Sequence, residues 1–234
     1  MFNRGSEWNK WDLHVHTPAS VLHNEYNANW DLYVKDLFQK AIENNVSGIG
    51  ITDYYFPDGY KKIKNEYLSD SEKMISILGE ELYEKSKEIY LFPNIEFRID
   101  KLILGKERDL KWNRKVNYHL LLSDEINIDI IETEIIQQLH FDYCSEPGGK
   151  PEKRIFTKDN LIELGNKLIL EQASFNQKDP LLVGMLNSCI SLDELANVIG
   201  NNKKFENKYL FGLPVDEDLS DVSWNSQGHS TRKI

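Results

Sequence analysis

Cysteine is nearly absent: Cys144 and Cys189 are the only two in 234 residues. They lie far apart and outside any Cys-x-x-Cys arrangement, which excludes a disulfide framework and a zinc ribbon and leaves two buried, reduced thiols as the expectation. Long hydrophobic runs are also missing. No apolar stretch approaches the roughly 20 residues of a membrane span, and Met1 to Lys10 is too polar for a secretory signal, so a cytoplasmic protein with no membrane partner is expected. Positive charge is scarce, with 28 Lys and Arg against 38 Asp and Glu and a net charge of −10. That balance argues against bulk attraction to a nucleic-acid backbone. A phosphate-binding loop is lacking too, because Gly148-Gly149-Lys150 runs into Pro151 rather than Ser or Thr. There is no internal repeat and no low-complexity segment.

What is present suffices for a folded globule. At 40% hydrophobic and 28% charged, the chain has ample core for one large domain or two small ones, and a single domain over residues 1–234 is the expectation. One stretch reverses the overall charge: between about residues 100 and 116 stand Lys101, Lys106, Arg108, Lys111, Arg114 and Lys115, with Trp112 among them. It reads either as an insertion that meets phosphates or bases, or as a solvated connection between two strands.

Hydrophobic period alternates along the chain. A strand over 11–16 precedes a helix with apolar Leu32, Tyr33, Leu37, Phe38, Ala41 and Ile42. Asn44-Asn45 stops that helix, and Gly48-Ile49-Gly50-Ile51 reads as a buried strand parallel to the first. A helix over about 71–88 then leads to a strand over 89–99 that Pro93 interrupts. Val116 to Leu122 reads as a buried strand and Asp129 to Leu139 as an amphipathic helix. The Pro-Gly-rich stretch 143–153 is the clearest loop. Two helices follow, one over about 158–174 capped by Thr157, the other opened by the capping box Ser191-Leu192-Asp193-Glu194 and closed at Gly200. The alternation predicts an α/β fold, as a barrel or an open sheet.

Ligand-type side chains fall where strands end. In Asp12-Leu13-His14-Val15-His16, the imidazoles at i and i+2 share a strand face, with Leu13 and Val15 turned into apolar packing. Two neutral imidazoles side by side are half of a transition-metal site, and the bland alternative is a pair of polar residues at a strand terminus. Asp53 follows Ile49-Gly50-Ile51-Thr52 and reads as a ligand or as a cap for the next turn. Glu96 reads as a ligand or a surface carboxylate, and His119 as a ligand or a satisfied core histidine. In barrels and parallel sheets such strand ends gather on one rim. Arg98 lies two residues beyond Glu96 on the same face, where its guanidinium would meet phosphate oxygens or pair with Glu96.

The series Asp12-Leu13-His14-Val15-His16-Thr17-Pro18-Ala19-Ser20, Gly50-Ile51-Thr52-Asp53-Tyr54, Asn94-Ile95-Glu96 and Tyr118-His119-Leu120-Leu121 resembles the polymerase and histidinol phosphatase (PHP) superfamily. Gly5-Ser6-Glu7-Trp8, Asp53-Tyr54-Tyr55-Phe56 and Val215-Asp216-Glu217-Asp218-Leu219-Ser220 resemble the PHP domain that TrlF-type proteins carry ahead of an AAA-like ATPase. The resemblance implies a distorted (β/α)7 TIM-like barrel and a phosphoesterase site of two or three divalent ions, Zn or Mn with Fe as a further candidate. It assigns His14 and His16 to the first metal, Glu96 to the bridge and His119 to the second metal. His23, displaced by one residue, matches an early third-metal ligand, and His229 in Gln227-Gly228-His229 keeps the imidazole of a closing Asp-x-His pair. Tyr54 replaces a third-metal imidazole with a phenol, a poor ligand near neutral pH. No histidine matches the ligand expected between His119 and His229, since His140 follows a helix-like run. The end at Arg232-Lys233-Ile234 predicts a barrel incomplete at its C-terminus, parted from its ATPase domain, with an apolar surface that favours a homo-oligomer.

Three functions follow from this reading. The first is a metal-dependent phosphoesterase or nuclease that activates water with two metals. The second is a weakened domain that binds a nucleotide or nucleic-acid end and reports it to the attached ATPase. The third is an inert barrel with one structural metal.

Overall fold

The computed structural model describes residues 8–21, 25–103, 114–145 and 149–213. Its strands are β1 (Lys10–His16), β2 (Val46–Tyr54), β3 (Tyr90–Ile103), β4 (Arg114–Leu122), β5 (His140–Tyr143), β6 (Glu152–Ile155) and β7 (Tyr209–Gly212). Its helices are α1 (Trp30–Glu43), α2 (Asp58–Ile63), α3 (Ser71–Leu78), α4 (Glu80–Ser86), α5 (Ile128–Glu134), α6 (Lys158–Glu171), α7 (Pro180–Asn187) and α8 (Leu192–Gly200). The fold is α/β. Among the described residues, five strands form a sheet in the order β1-β2-β3-β4-β7, and β5 pairs antiparallel with β6 in a separate ribbon. β1 and β7 stand at the two edges of the five-stranded sheet, and among the described residues no pairing closes it into a barrel. Of the basic stretch at about 100–116, Lys101 falls in β3 and Arg114 and Lys115 in β4, while residues 104–113 lie outside the described residues.

Chain contacts divide the protein into two compact units. The first comprises the chain up to Ile95, with 121–132 and 208–210. Here β1 and β2 run parallel, joined through α1. The Asn29 side chain accepts from the Leu32 N–H at the start of α1, and at its end Asn44 N–H donates to Lys40 O, the stop that Asn44-Asn45 predicts. Tyr33, Val34, Phe38 and Ala41 of α1 are buried, as are Ile49 and Ile51 of β2, the strand that α1 contacts. The single helix expected over 71–88 is two, because Gly79 takes φ +78° and serves both as the C-cap of α3 and the N-cap of α4. Pro93 does not interrupt β3, which runs unbroken from Tyr90. One missing N–H costs that strand a single ladder bond, while Leu91, Ile95, Phe97 and Ile99 all remain buried. Leu13 is not turned into apolar packing but is 37% exposed on the edge strand.

The second unit comprises 96–120, 133–207 and the chain from Phe211. The Thr157 side chain accepts from Asn160 N–H at the start of α6, and Ser191 from Glu194 N–H at the start of α8, as their capping patterns predict. The Glu194 carboxylate, however, leaves the capping box and accepts from the backbone N–H and Nδ1 of His140, at 3.0 and 2.7 Å. His140 therefore opens β5 rather than following a helix, and α5 ends at Glu134, with a 3-10 turn over Ile136–Gln138 between them. α6 and α7 cross at glycines. A Cβ on Gly165 would lie 1.8 Å from Pro180 O and one on Gly184 2.0 Å from Leu161 O, so backbone packs on backbone. Cys144 and Cys189 are half-buried rather than buried.

Candidate metal centre

β1 does not meet β2 in regular register. Asp12 pairs with Ile49 and Val15 with Ile51, so Leu13 and His14 together oppose the single residue Gly50. This is a β-bulge, an extra residue that bends its strand and re-aims side chains. Beyond it, His14 Nε2 and His16 Nε2 approach to 3.1 Å, with ring centroids 4.9 Å apart. One ion at ordinary Zn–N distances holds two imidazole nitrogens about 3.0 Å apart in octahedral and about 3.3 Å apart in tetrahedral geometry. The observed spacing matches the bite of a single divalent cation. Glu96 completes the group: His14, His16 and Glu96 each offer a ligand atom, and these atoms lie within 4.8 Å of one another. His14 is exposed, His16 half-buried and Glu96 only 1% exposed. Two neutral nitrogens and a carboxylate suit Zn, Mn or Fe.

The turn after β1 fixes His16. Ser20 Oγ lies 3.2 Å from His16 Nδ1, and the tautomer in which Nδ1–H donates to this hydroxyl leaves Nε2 its lone pair for a metal. Ser20 N–H donates to Thr17 O at 2.9 Å and Ala19 N–H to Thr17 Oγ1 at 3.0 Å, closing the turn. Thr17 Oγ1 in turn donates to Asp53 Oδ1 at 2.7 Å, and Gly59 N–H in the first turn of α2 donates to Asp53 Oδ2 at 2.7 Å. Asp53 thus accepts from the first turn of the following helix and clamps the turn that carries Ser20. Burial pushes its carboxyl up to about 7, while the Thr17 and Gly59 donors and the charge of His16 work to lower it.

Two further residues sit on the second unit. Arg98 Nη1 donates to Leu186 O at 3.1 Å in the last turn of α7, so the guanidinium satisfies a helix C-terminus. His119 lies in β4, 7% exposed. The structure therefore brings together His14, His16 and Glu96 and gives Asp53 and Arg98 structural partners. His23 and His229, with Gln227, lie outside the described residues.

Residues 12–213 match the PHP domain family. The chain belongs to the PHP family. Comparison with curated proteins and with solved structures gives no match. Membership in a family of metal-dependent phosphoesterases agrees with a His14, His16 and Glu96 group that can hold a metal ion. The departure in this PHP domain at Tyr54 has a definite geometry: its ring stacks on His16, centroids 5.0 Å apart and planes 26° apart. The next residue, Tyr55, is 1% exposed and takes φ +62°, with Phe56 N–H donating to Tyr54 O at 2.7 Å across it. This γ-turn is rare for a bulky side chain and costs about 1–3 kcal/mol. Thr17, Ser20 and Tyr54 stand within the sequence motifs, but their contacts, and the part of Gly59, leave no periodic trace in the sequence. A serine four residues beyond the second histidine was the one local sign of the turn.

Proposed function

We propose that this PHP domain is a metal-dependent phosphoesterase or nuclease module that hydrolyses a phosphate ester with two divalent cations, on a distorted (β/α)7 barrel of the PHP type. The observation that carries the reading is the convergence of His14 Nε2, His16 Nε2 and the Glu96 carboxylate in a PHP family chain. His14, His16 and Glu96 would hold one ion, with Glu96 shared and His119 serving the second, and His229, Asp53 and His23 as further ligands. Cations there, Zn or Mn with Fe as a further candidate, supply Lewis acidity toward a phosphoryl oxygen and lower the pKa of water. The chain's own groups do the rest. Ser20 holds His16 in the tautomer that binds, Asp53 holds the turn, and Arg98 retains guanidinium donors beyond the one on Leu186 O with which to meet phosphate oxygens.

The substrate reading extends to a nucleotide or nucleic acid, and the TrlF likeness would make an AAA-like ATPase in a longer chain the partner. No helix among the described residues is long and apolar enough to cross a membrane, and a cytoplasmic location is part of the proposal. A second reading, a weakened sensor domain that regulates such an ATPase, draws on Tyr54 standing where the family places an imidazole.

Elemental mass spectrometry on protein purified without chelator, for wild type and His14→Ala, tests the proposal together with a metal-dependent phosphodiester assay. About two ions per chain, fewer in the variant, with hydrolysis lost alongside, is the expected result. Metal without turnover on any phosphate ester favours the sensor. No metal after reconstitution with Zn or Mn refutes the hydrolase.

A further inference from the structure

We infer that Asn94 is a positioning residue: its side-chain amide, reaching past Gly50 to the carbonyl of Leu13, sets the β1 bulge that aims His14 and His16 at one ion. This rests on the metal-site reading above.

Residues i and i+2 of a regular strand stand about 6.6 Å apart along its axis, yet the two Nε2 atoms meet at 3.1 Å. The rings must lean toward each other, and the backbone under them must be held for that lean to persist. The bulge supplies the bend. With Leu13 and His14 both opposite Gly50, the Leu13 carbonyl turns inward over β2, where it occupies the space a side chain at residue 50 would need. A Cβ there would lie 2.2 Å from Leu13 O and 2.7 Å from its carbonyl carbon. Glycine is thus required by close approach, not by turn geometry.

A carbonyl displaced from its ladder needs a donor. Asn94 Nδ2 supplies it at 2.7 Å, and also donates to Thr52 Oγ1 at 2.9 Å. Asn94 is 3% exposed on β3, with β2 lying between it and β1. Its amide reaches across β2 at the one position that has no side chain to block it. A single buried residue therefore joins three neighbouring strands at the bulge, and His14 is the next residue after the carbonyl it holds. A side chain that fixes a metal ligand through its backbone acts as outer-shell partners do, and the loss of such a partner costs about 10- to 100-fold in metal affinity.

The test measures Zn affinity by competition with a chromophoric chelator, with the visible absorption of the Co-loaded protein as a second readout. Wild type, Asn94→Ala and Thr52→Val are compared, each checked for folding by circular dichroism in the metal-free form. Asn94→Ser, a smaller loss that still cannot span to Leu13, serves if the alanine variant does not fold. The expected result is a loss of about tenfold or more in Zn affinity for the Asn94 variants, with an altered Co spectrum as the His pair loosens. Thr52→Val, which removes the long 3.5 Å contact from Thr52 Oγ1 to Leu13 O but leaves the 2.7 Å bond from Asn94 in place, stays close to wild type. A folded Asn94 variant with wild-type affinity and spectrum overturns the inference and leaves the metal site standing. An equal loss in Thr52→Val also overturns it, by assigning the effect to the whole network. A wild type that binds neither Zn nor Co overturns the metal reading and the inference together.

Discussion

Replacing Gly59 by alanine sets a local gain against a larger loss. Gly59 is in the first turn of α2, and glycine there costs up to about 1 kcal/mol of helix propensity that alanine would restore. The added Cβ, however, would lie 2.1 Å from Thr17 Oγ1 and 2.4 Å from Asp53 Oδ2. Neither atom can retreat freely, because both residues are buried, Thr17 Oγ1 donates to Asp53 Oδ1 at 2.7 Å and Asp53 Oδ2 accepts from Gly59 N–H at 2.7 Å. Making room breaks or stretches the bonds from Gly59 N–H and Thr17 Oγ1 to the same carboxyl, about 1–2 kcal/mol each for buried bonds of this kind. The net expectation for Gly59→Ala is a destabilisation of about 1–3 kcal/mol. Urea unfolding of the metal-free protein measures it as a lower midpoint at unchanged slope. Because Thr17 closes the turn that brings Ser20 to His16, Zn affinity should fall as well. A variant as stable as wild type, or more so, would refute the argument that Asp53 is clamped from two sides.

Three further outcomes follow from the same contacts. Ser20→Ala removes the partner of His16 Nδ1 and should weaken Zn binding by about tenfold, the lower end for outer-shell partners given a 3.2 Å contact; chelator competition reads it, and an unchanged affinity counts against tautomer control. Asp53 has its native pKa raised from 3.8 to about 7, so the folded state holds a proton that the unfolded state has released, and the stability of the metal-free protein should fall as pH rises from about 4 to about 7. The fall is at most about 4 kcal/mol, and Asp53→Asn should remove that slope in urea midpoints taken across the window. Gly165→Ala places a Cβ 1.8 Å from Pro180 O, whereas Gly200→Ala meets nothing within 4 Å. The first should lower the thermal midpoint, because overpacking costs about 1–3 kcal/mol against a helix gain of about 1, and the second should leave it equal or raise it.

The elements legible in the sequence are those whose signal is local. Asn29 and the Asn44-Asn45 stop frame α1, and Thr157 and Ser191 cap α6 and α8 through their own side chains. β2 and β4 announce themselves as apolar runs. Short elements escaped: β5, β6 and β7 have four residues each, too few for a period to show. α7 was passed over although Asp179 followed by Pro180 is a complete start signal, with Asp179 Oδ1 accepting from Leu182 N–H at 2.9 Å. The run after Asp129 misled for a different reason. Ile135, Ile136 and Leu139 are all fully buried, so the apolar spacing there reports burial and not helix. What holds His140 at the start of β5 is Glu194, 54 residues away.

The same division holds at the site, and it bears on which function the domain keeps. His14, His16 and Glu96, which lie close enough to share an ion, are candidates that residue type and strand spacing suffice to nominate. Their supports were not legible, because Asn94 reaches Leu13 across 81 residues and Thr17 reaches Asp53 across 36, and neither contact leaves a periodic trace. Tyr54 was legible only as a substitution, and its placement changes what that substitution implies. The phenol stacks on the face of the His16 ring, whereas a metal bonds to nitrogen in the ring plane, so the contact leaves Nε2 directed at His14. On the proposed PHP-type reading, a tyrosine at residue 54 would take a donor from a third site, while its ring braces His16. A domain that has given up its His14 and His16 site would have no reason to keep Gly50 under the Leu13 carbonyl, Ser20 on Nδ1 and an aromatic brace on the ring. Those three supports speak for a site built to hold a metal, and metal-dependent turnover is what separates a hydrolase from a sensor built on it.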